Sequence, residues 1–292
     1  MILDKLLIPL ITTASSHEAA HSVADSVAKA AGEAAAHAEE SHELPNIITV
    51  LYKGFGETFS SLHHWENIIF AFMALLFLCV IAMIVYRKRE MVPGPMQNFV
   101  ELIVEGLYNF FHSMLGENAK KYTPFLGTLF LYILVMNWMG IVPFLKAPTS
   151  AAVIPFSLAI VVFVYSQGVG FKHLGVLGWL NHLAGEPKGV IGWALVPLMI
   201  PIHLIGEIAK PVSLAFRLFG NITGEDILVA AFAMLGILAL SFAGPSPVGI
   251  PLQLPFYFLG LLMSTIQALV FASLAAIYIA LMLPHEHEAE GH

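Results

Sequence analysis

Residues 67–86 read NIIFAFMALLFLCVIAMIVY and contain no charged side chain. An uncharged, mostly apolar run of about 20 residues forms roughly 30 Å of α-helix, which is the thickness of the hydrocarbon core of a bilayer. Arg87, Lys88 and Arg89 follow at once. Basic residues flank membrane helices on the cytoplasmic side. The stretch therefore predicts a membrane span that runs from outside to the cytoplasm.

The composition extends this prediction to the whole chain of 292 residues. The chain is 58% hydrophobic and 11% charged, with a mean hydropathy of +0.80, whereas soluble domains carry about 25% charged residues. A single cysteine, Cys79, excludes a disulfide framework and a cysteine metal site. A net charge of −7, with acidic ends, argues against nucleic acid as a partner.

Further apolar segments predict the remaining membrane helices. They cover residues 122–145, 150–171, 193–243 and 252–283, with a short turn at 146–150 and a Gly-rich linker at 172–192. The last two exceed the bilayer thickness, so we expect them to tilt or bend. Lysines and arginines concentrate at the ends predicted to be cytoplasmic, and this orientation puts the C-terminus in the cytoplasm.

Residues 92–121 turn at Pro93-Gly94-Pro95 and then differ from the membrane segments, because apolar and polar positions alternate with a helical period. Phe99, Leu102 and Leu107 fall on one side, and Glu101 and Glu105 fall on the other. Such a helix is expected to lie on the membrane surface. The predicted fold class is an all-α integral membrane protein with about five membrane helices, one amphipathic surface helix, and two long tilted C-terminal helices that form a hairpin.

Three regions follow from this reading. Residues 1–65 form a polar, Ala- and His-rich extracytoplasmic region, residues 66–284 form the membrane domain, and residues 285–292 form an acidic cytoplasmic tail. Residues 1–14 fit either a cleaved leader or a membrane-surface segment. The HEAAH pattern at residues 17–21 matches the spacing of zinc proteases, but it lies in a polar tail without a third ligand, so we expect no metal site there.

A cluster of charges interrupts the fourth apolar segment. Residues 207–226 read EIAKPVSLAFRLFGNITGED. On a helix, Arg217 stands on a face of small and polar residues, while Glu207 and Glu225 lie together about 80° from it and Asp226 lies opposite. That face consists of Gly206, Lys210, Ser213, Gly220, Asn221, Gly224 and Leu228.

The arginine is the unusual member of this cluster. A cation at the centre of a membrane helix costs about 2.5–3.5 kcal/mol, and a guanidinium cannot escape by losing its proton. His203, Glu207, Glu225 and Asp226 can exchange or attract protons. Arg217 instead repels free cations, so it would divide a water path into two halves. A proton would then cross on a moving acidic carrier.

The last helix carries a matching polar stripe. Gln253, Ser264, Gln267 and Tyr278 share one face of the predicted helix at 252–283. A buried glutamine needs partners for its amide, and a facing arginine is one such partner. Two long helices with polar faces predict a seam that water can enter, lined by candidates that include Lys210.

Two blocks of sequence resemble the subunit a family of F-type ATP synthases. They are KPVSLAFRLFGNITGEDIL at residues 210–228 and IQALVFASLAAIYIALML at residues 266–283. The resemblance implies that Arg217 is the essential arginine facing the c-ring carboxylates and that Gln267 is its polar partner. It also implies that Asn221 is the motif asparagine and that Glu225 or Asp226 is the acid of one proton half-channel.

The resemblance further implies a non-catalytic, proton-translocating stator without a cofactor. Its partners would be the c-subunit ring, the b-subunit stalk, other ATP synthase subunits and the lipid bilayer of a bacterial plasma membrane. The coupling ion, H⁺ or Na⁺, stays open. His203, Gly260 and Gly140 stand where other members carry acidic or histidine side chains, so the lining of each half-channel stays open too.

A stand-alone ion channel or transporter is the alternative. Such proteins often contain inverted repeats and a substrate site within one chain. No repeat is visible here, and the polar stripe holds a cation that blocks other cations. Conduction by the purified chain alone would favour this alternative.

Overall fold

The computed structural model describes residues 65–142, 145–185, 189–241 and 251–283. Within these ranges the chain is helical and contains no strand. The predicted N-terminal region, apart from residue 65, the HEAAH pattern and the acidic tail lie outside the described residues. The α-helices are α1 (Glu66–Arg87), α2 (Pro95–Leu115), α3 (Ala119–Met139), α4 (Val153–Leu183), α5 (Gly189–Ser241) and α6 (Leu254–Ala280).

Five helical stretches in the described ranges are long and apolar enough to cross a membrane. Helices α1, α4, α5 and α6 supply one each, and α2 with α3 forms the fifth as one continuous stretch. This confirms the predicted all-α membrane fold. Short 3₁₀ turns at Gly116–Asn118 and Pro148–Ser150 separate α2 from α3 and α3 from α4.

Helix α2 buries one face of its C-terminal half, so the predicted apolar side of Phe99, Leu102 and Leu107 is buried only at Leu107. Leu107, Phe111 and Leu115 recur every four residues and are buried against the rest of the protein. Phe99 and Leu102 are 62% and 67% exposed, which suits a helix whose outer side meets lipid. Gly116 ends the helix at φ 57, a conformation that glycine adopts without strain.

The core lies where α3 packs on α6. Large side chains of α3 meet a face of α6 that is rich in alanine, and small residues allow membrane helices to approach closely. The fully buried positions of this interface include Tyr122, Leu126, Ile133, Met136, Phe271, Ala272, Ala275, Ala276 and Ile279.

The prediction of a Gly-rich linker at residues 172–192 is wrong. Helix α4 continues to Leu183 and α5 begins at Gly189. Apolar residues continue the helical pattern beyond residue 171, so that glycines reduce helix propensity there without ending the helix. Within α4 the helix is interrupted at Gly175, whose φ of 67 and ψ of 175 redirect the chain.

Helix α5 is one element of 53 residues that continues through Pro197, Pro201 and Pro211. At 1.5 Å per residue its contour is about 80 Å, far more than a bilayer of about 30 Å. Each proline removes one backbone hydrogen bond and bends the helix. The predicted need to tilt or bend therefore applies to this helix most strongly.

The end of α3 and the following turn approach each other closely at Gly140. A Cβ atom at Gly140 would lie 2.8 Å from Ala147 Cβ. We therefore expect Gly140→Val to lower stability by about 1–3 kcal/mol through overpacking. The measurement is thermal unfolding of the detergent-solubilised protein. Gly106→Val is the matched control, since a Cβ atom there meets nothing within 4 Å; equal destabilisation by both variants would contradict the prediction.

Candidate proton path

Helices α5 and α6 form an antiparallel pair that carries most of the predicted site residues. As residue numbers rise along α5, the numbers of the partners on α6 fall, which fixes the register. The contacts are Lys210 with Tyr278, Asn221 with Gln267, Glu225 with Ser264, and Phe232 with Phe256. The predicted C-terminal hairpin is thus confirmed, and its seam is polar at several levels.

Arg217 lies at the edge of this pair, on the same face of α5 as Lys210 and Asn221, which contact α6. Its side chain is exposed, and it forms no hydrogen bond or ion pair with any residue in the described part of the chain. The opposite side of α5 holds Ala215 and Ile222, which are buried. Arg217 therefore projects from an element whose other side is anchored in the protein.

The face around Arg217 is open as well as small. A Cβ atom added at Gly206, Gly220 or Gly224 would meet nothing within 4 Å. Ser213 and Asn221 on the same face are also exposed. The described residues do not fill the surface beside Arg217, so a helix of another chain has room to approach it closely.

Gln267 is buried, with 2% of its surface exposed. Asn221 Nδ2 donates to Gln267 Oε1 at 2.7 Å, so the structure pairs this amide with Asn221 rather than with Arg217. Among the residues that the structure describes, Gln267 Nε2 is buried without a hydrogen-bond partner. An unsatisfied buried donor costs about 1–3 kcal/mol, and it leaves a hydrogen bond to offer to a water molecule or a partner group in the seam.

Glu225 reaches across the seam to α6. Ser264 Oγ donates to Glu225 Oε2 at 3.1 Å. The carboxylate occupies the space above Gly260, because a Cβ atom at that position would overlap it. The missing side chain at residue 260 and the acid at residue 225 are therefore complementary.

The other predicted residues occupy separate places. Asp226 lies near Tyr257 on α6 and interacts with it electrostatically. His203 Nδ1 lies 2.9 Å from the carbonyl oxygen of Leu183, and since a carbonyl only accepts, Nδ1 carries the proton. Gln253 stands at the N-terminus of α6, about 21 Å along the helix from Gln267, so the structure does not bring these two together.

Two buried polar residues of the site were missed by the sequence analysis. Asn137 Nδ2 donates to the carbonyl of Ser264 at 3.3 Å, and Thr149 Oγ1 donates to Asn137 Oδ1 at 2.7 Å. Both residues are almost fully buried. They extend the polar groups around Glu225 towards the turn between α3 and α4. The sequence signal that could have identified Asn137 is a single amide side chain within the apolar run of α3.

A second polar cluster lies on the other side of Arg217 along α5. Lys210 Nζ donates to Glu207 Oε1 and lies over the Tyr278 ring, 5.7 Å from its centroid. A cavity of about 10 Å³, roughly the space of one water molecule, adjoins Lys210, Tyr278 and Ser166. The polar groups thus form two clusters along α5, one before and one after the level of Arg217.

Comparison with known proteins identifies the family. The sequence profile of the family described as "ATP synthase A chain" matches residues 68–280. The ATP synthase subunit a of Protochlamydia amoebophila is 47% identical over 248 residues, which are 84% of this chain and 91% of that protein. The same subunit of Solidesulfovibrio magneticus is 40% identical over 222 residues, 76% of this chain and 86% of that protein. This chain belongs to the ATP synthase subunit a family.

Membership in the subunit a family establishes the general function of the chain. The chain is a multi-pass membrane protein and the proton-conducting, non-catalytic stator subunit of an F-type ATP synthase. It is therefore part of the ATP synthase complex. The stand-alone transporter or channel is excluded as its class.

The fit of Glu225 over Gly260 generates a prediction. Gly260→Ala would drive its methyl group into the carboxylate and should lower the stability of the assembled complex by about 1–3 kcal/mol. Glu225→Ala in addition should remove most of that loss, because it removes the clashing group. Thermal release of the subunit from the complex measures both. Losses that simply add would contradict the contact.

Proposed function

We propose that Arg217 is the fixed barrier of this subunit and faces the carboxylates of the c-subunit ring. The single observation that carries the proposal is an exposed guanidinium with no ion pair or hydrogen bond to the described residues of its own chain. A buried or membrane-facing cation needs a counter-charge. The open face of Gly206, Gly220 and Gly224 gives a rotor helix room to bring one.

The two polar clusters fit two half-channels that meet at the rotor. Lys210 lies about 10 Å before Arg217 along α5, and Glu225 lies about 12 Å after it. One half-channel would pass Asn137, Ser264 and Glu225, and the other would pass the small cavity beside Lys210. Gln267 and Asn221 lie between them and would orient water or the carrier carboxylate.

Electrostatics explains where a c-ring carboxylate loses its proton and where it must take one up. A c-ring carboxylate next to Arg217 is stabilised as the anion and releases its proton into one half-channel. Before it moves into lipid it must take a proton from the other, since a bare carboxylate in hydrocarbon is too costly. Arg217 also repels a proton that would cross directly, so transport requires ring rotation.

The proposed orientation has the N-terminal side outside and the C-terminus in the cytoplasm of a bacterial plasma membrane. Lys121 Nζ lies 3.0 Å from His173 Nε2, which puts the start of α3 and the middle of α4 at one level. Lys146 Nζ lies 3.8 Å from Glu66 Oε1 at the start of α1. Both contacts agree with the predicted alternation, in which the lysine-rich ends are cytoplasmic. The b-subunit stalk is proposed as a further partner.

Arg217→Ala should abolish coupled ATP synthesis and let protons leak through passively, because the barrier between the half-channels is gone. The test measures ATP synthesis and proton leak in vesicles that carry the whole complex. Normal proton-driven synthesis by this variant would refute the assignment of Arg217. Conduction by the purified subunit without a c-ring would refute the need for a moving carrier.

We also propose Glu225, rather than Asp226, as the acid of the half-channel, because its carboxylate contacts Ser264 in the polar seam. Positioned proton-transfer groups contribute about 10²–10⁴-fold, so Glu225→Gln should slow ATP-driven proton pumping at least about tenfold. Asp226→Asn should stay within about twofold on the same scale. The reverse order would assign the role to Asp226, and two fully active variants would exclude both residues.

A further inference from the structure

The carboxylate of Glu207 is surrounded by polar partners from two helices. Gln167 Nε2 of α4 donates to Glu207 Oε2 at 2.8 Å, and Lys210 Nζ donates to Glu207 Oε1. The side chain of Glu207 is 14% exposed and that of Lys210 is 25% exposed. Both carboxylate oxygens are thus engaged inside the protein.

Trp179 fixes the orientation of the bridging amide. Its indole nitrogen donates to Gln167 Oε1 at 2.8 Å. An indole N–H only donates, so it selects the oxygen of Gln167 and turns the NH₂ group towards Glu207. Each oxygen of the Glu207 carboxylate thus has its own donor, one from Gln167 and one from Lys210. Because Gln167 is only 8% exposed, its amide has little access to water as an alternative partner.

The break in α4 brings Trp179 to this position. Gly175 redirects the helix at φ 67, and the Trp179 ring then packs on Phe171 with a centroid separation of 4.8 Å. Gln167 precedes the break and Trp179 follows it. The hydrogen bond between them therefore ties the two halves of α4 together beside Glu207.

We propose that Glu207 is a fixed counter-anion that neutralises Lys210 beside the proton path, and that Gln167 and Trp179 are positioning residues for it. The proposal rests on the proposed function, in which Lys210 borders one half-channel. It gives Glu207 a different role from Glu225. Glu225 accepts one side-chain hydrogen bond across the seam and exchanges protons in the proposed function, whereas Glu207 is held in an ion pair with Lys210.

The reason for such a device is electrostatic. Lys210 lies about 10 Å along α5 from Arg217 and beside a cavity of one-water size. Without Glu207 its charge would repel protons on their way to the rotor, by a factor on the order of ten at an effective dielectric constant near 20. A paired lysine acts as a short dipole, and its repulsion falls off steeply with distance.

The experiment measures ATP-driven proton pumping by the whole complex in inverted membrane vesicles, in two backgrounds. In the wild-type background, Glu207→Gln should reduce pumping on the order of tenfold, and Trp179→Phe should reduce it by a smaller factor. In the Lys210→Gln background, whose own rate is the reference, neither substitution should reduce pumping further. A purely structural role predicts the same loss in both backgrounds and would overturn the proposal.

A matched control separates charge compensation from packing. Trp138 Nε1 donates to Thr265 Oγ1 at 3.1 Å, away from the Glu207 cluster. Trp138→Phe should therefore have the same effect with Lys210 and with Gln at position 210. Co-purification of the subunit with the c-ring checks assembly of each variant. If Glu207→Gln does not assemble, the Trp179→Phe pair decides the question in the same way.

Arg217→Ala in the same vesicles separates this inference from the proposed function. Intact coupling in that variant would refute the proposed function. Loss of coupling in Arg217→Ala, together with an unrescued loss in Glu207→Gln, would refute the counter-anion alone.

Discussion

The whole arrangement depends on one cation that cannot be neutralised within the described part of its own chain. A guanidinium at membrane depth keeps its charge because its pKa is too high for deprotonation. The chain surrounds Arg217 with small residues and leaves it exposed, while the opposite side of α5 is buried. Stability alone would favour an internal carboxylate partner, as Lys210 has in Glu207. The contrast between the paired lysine and the unpaired arginine, two turns apart on one helix, is the strongest structural argument that Arg217 acts on another subunit.

The length and bending of α5 follow from the same requirement. A perpendicular helix of about 20 residues would present only a few residues at the level of the barrier. A helix of 53 residues with three prolines, packed antiparallel to α6, extends polar groups over several turns on both sides of Arg217. The register from Lys210 with Tyr278 to Phe232 with Phe256 keeps these groups against one neighbour. The seam therefore carries polar groups both before and after the level of Arg217.

Sequence reasoning reached the fold class, the spans and the position of Arg217, because each depends on local composition. Uncharged runs define membrane helices, and an arginine within one is conspicuous. It failed at residues 172–192, where glycines suggested a linker. Apolar periodicity and tertiary packing instead extend α4 to Leu183, with an interruption inside it at Gly175. It also missed Asn137, Thr149, Gln167 and Trp179. Their roles depend on which helices become neighbours, and this is not encoded in any single segment.

The partner of Gln267 illustrates the same limit at the level of one hydrogen bond. The helical face of α6 correctly indicated that Gln267 is buried, and chemistry required a partner for its amide. Arg217 and Asn221 share a face of α5, so the pattern alone could not choose between them. The structure selects Asn221, which satisfies the oxygen of Gln267 and leaves Nε2 unpartnered. No hydrogen bond to the described part of its own chain then immobilises the arginine, and under the proposed function its guanidinium is available to each passing carboxylate of the rotor.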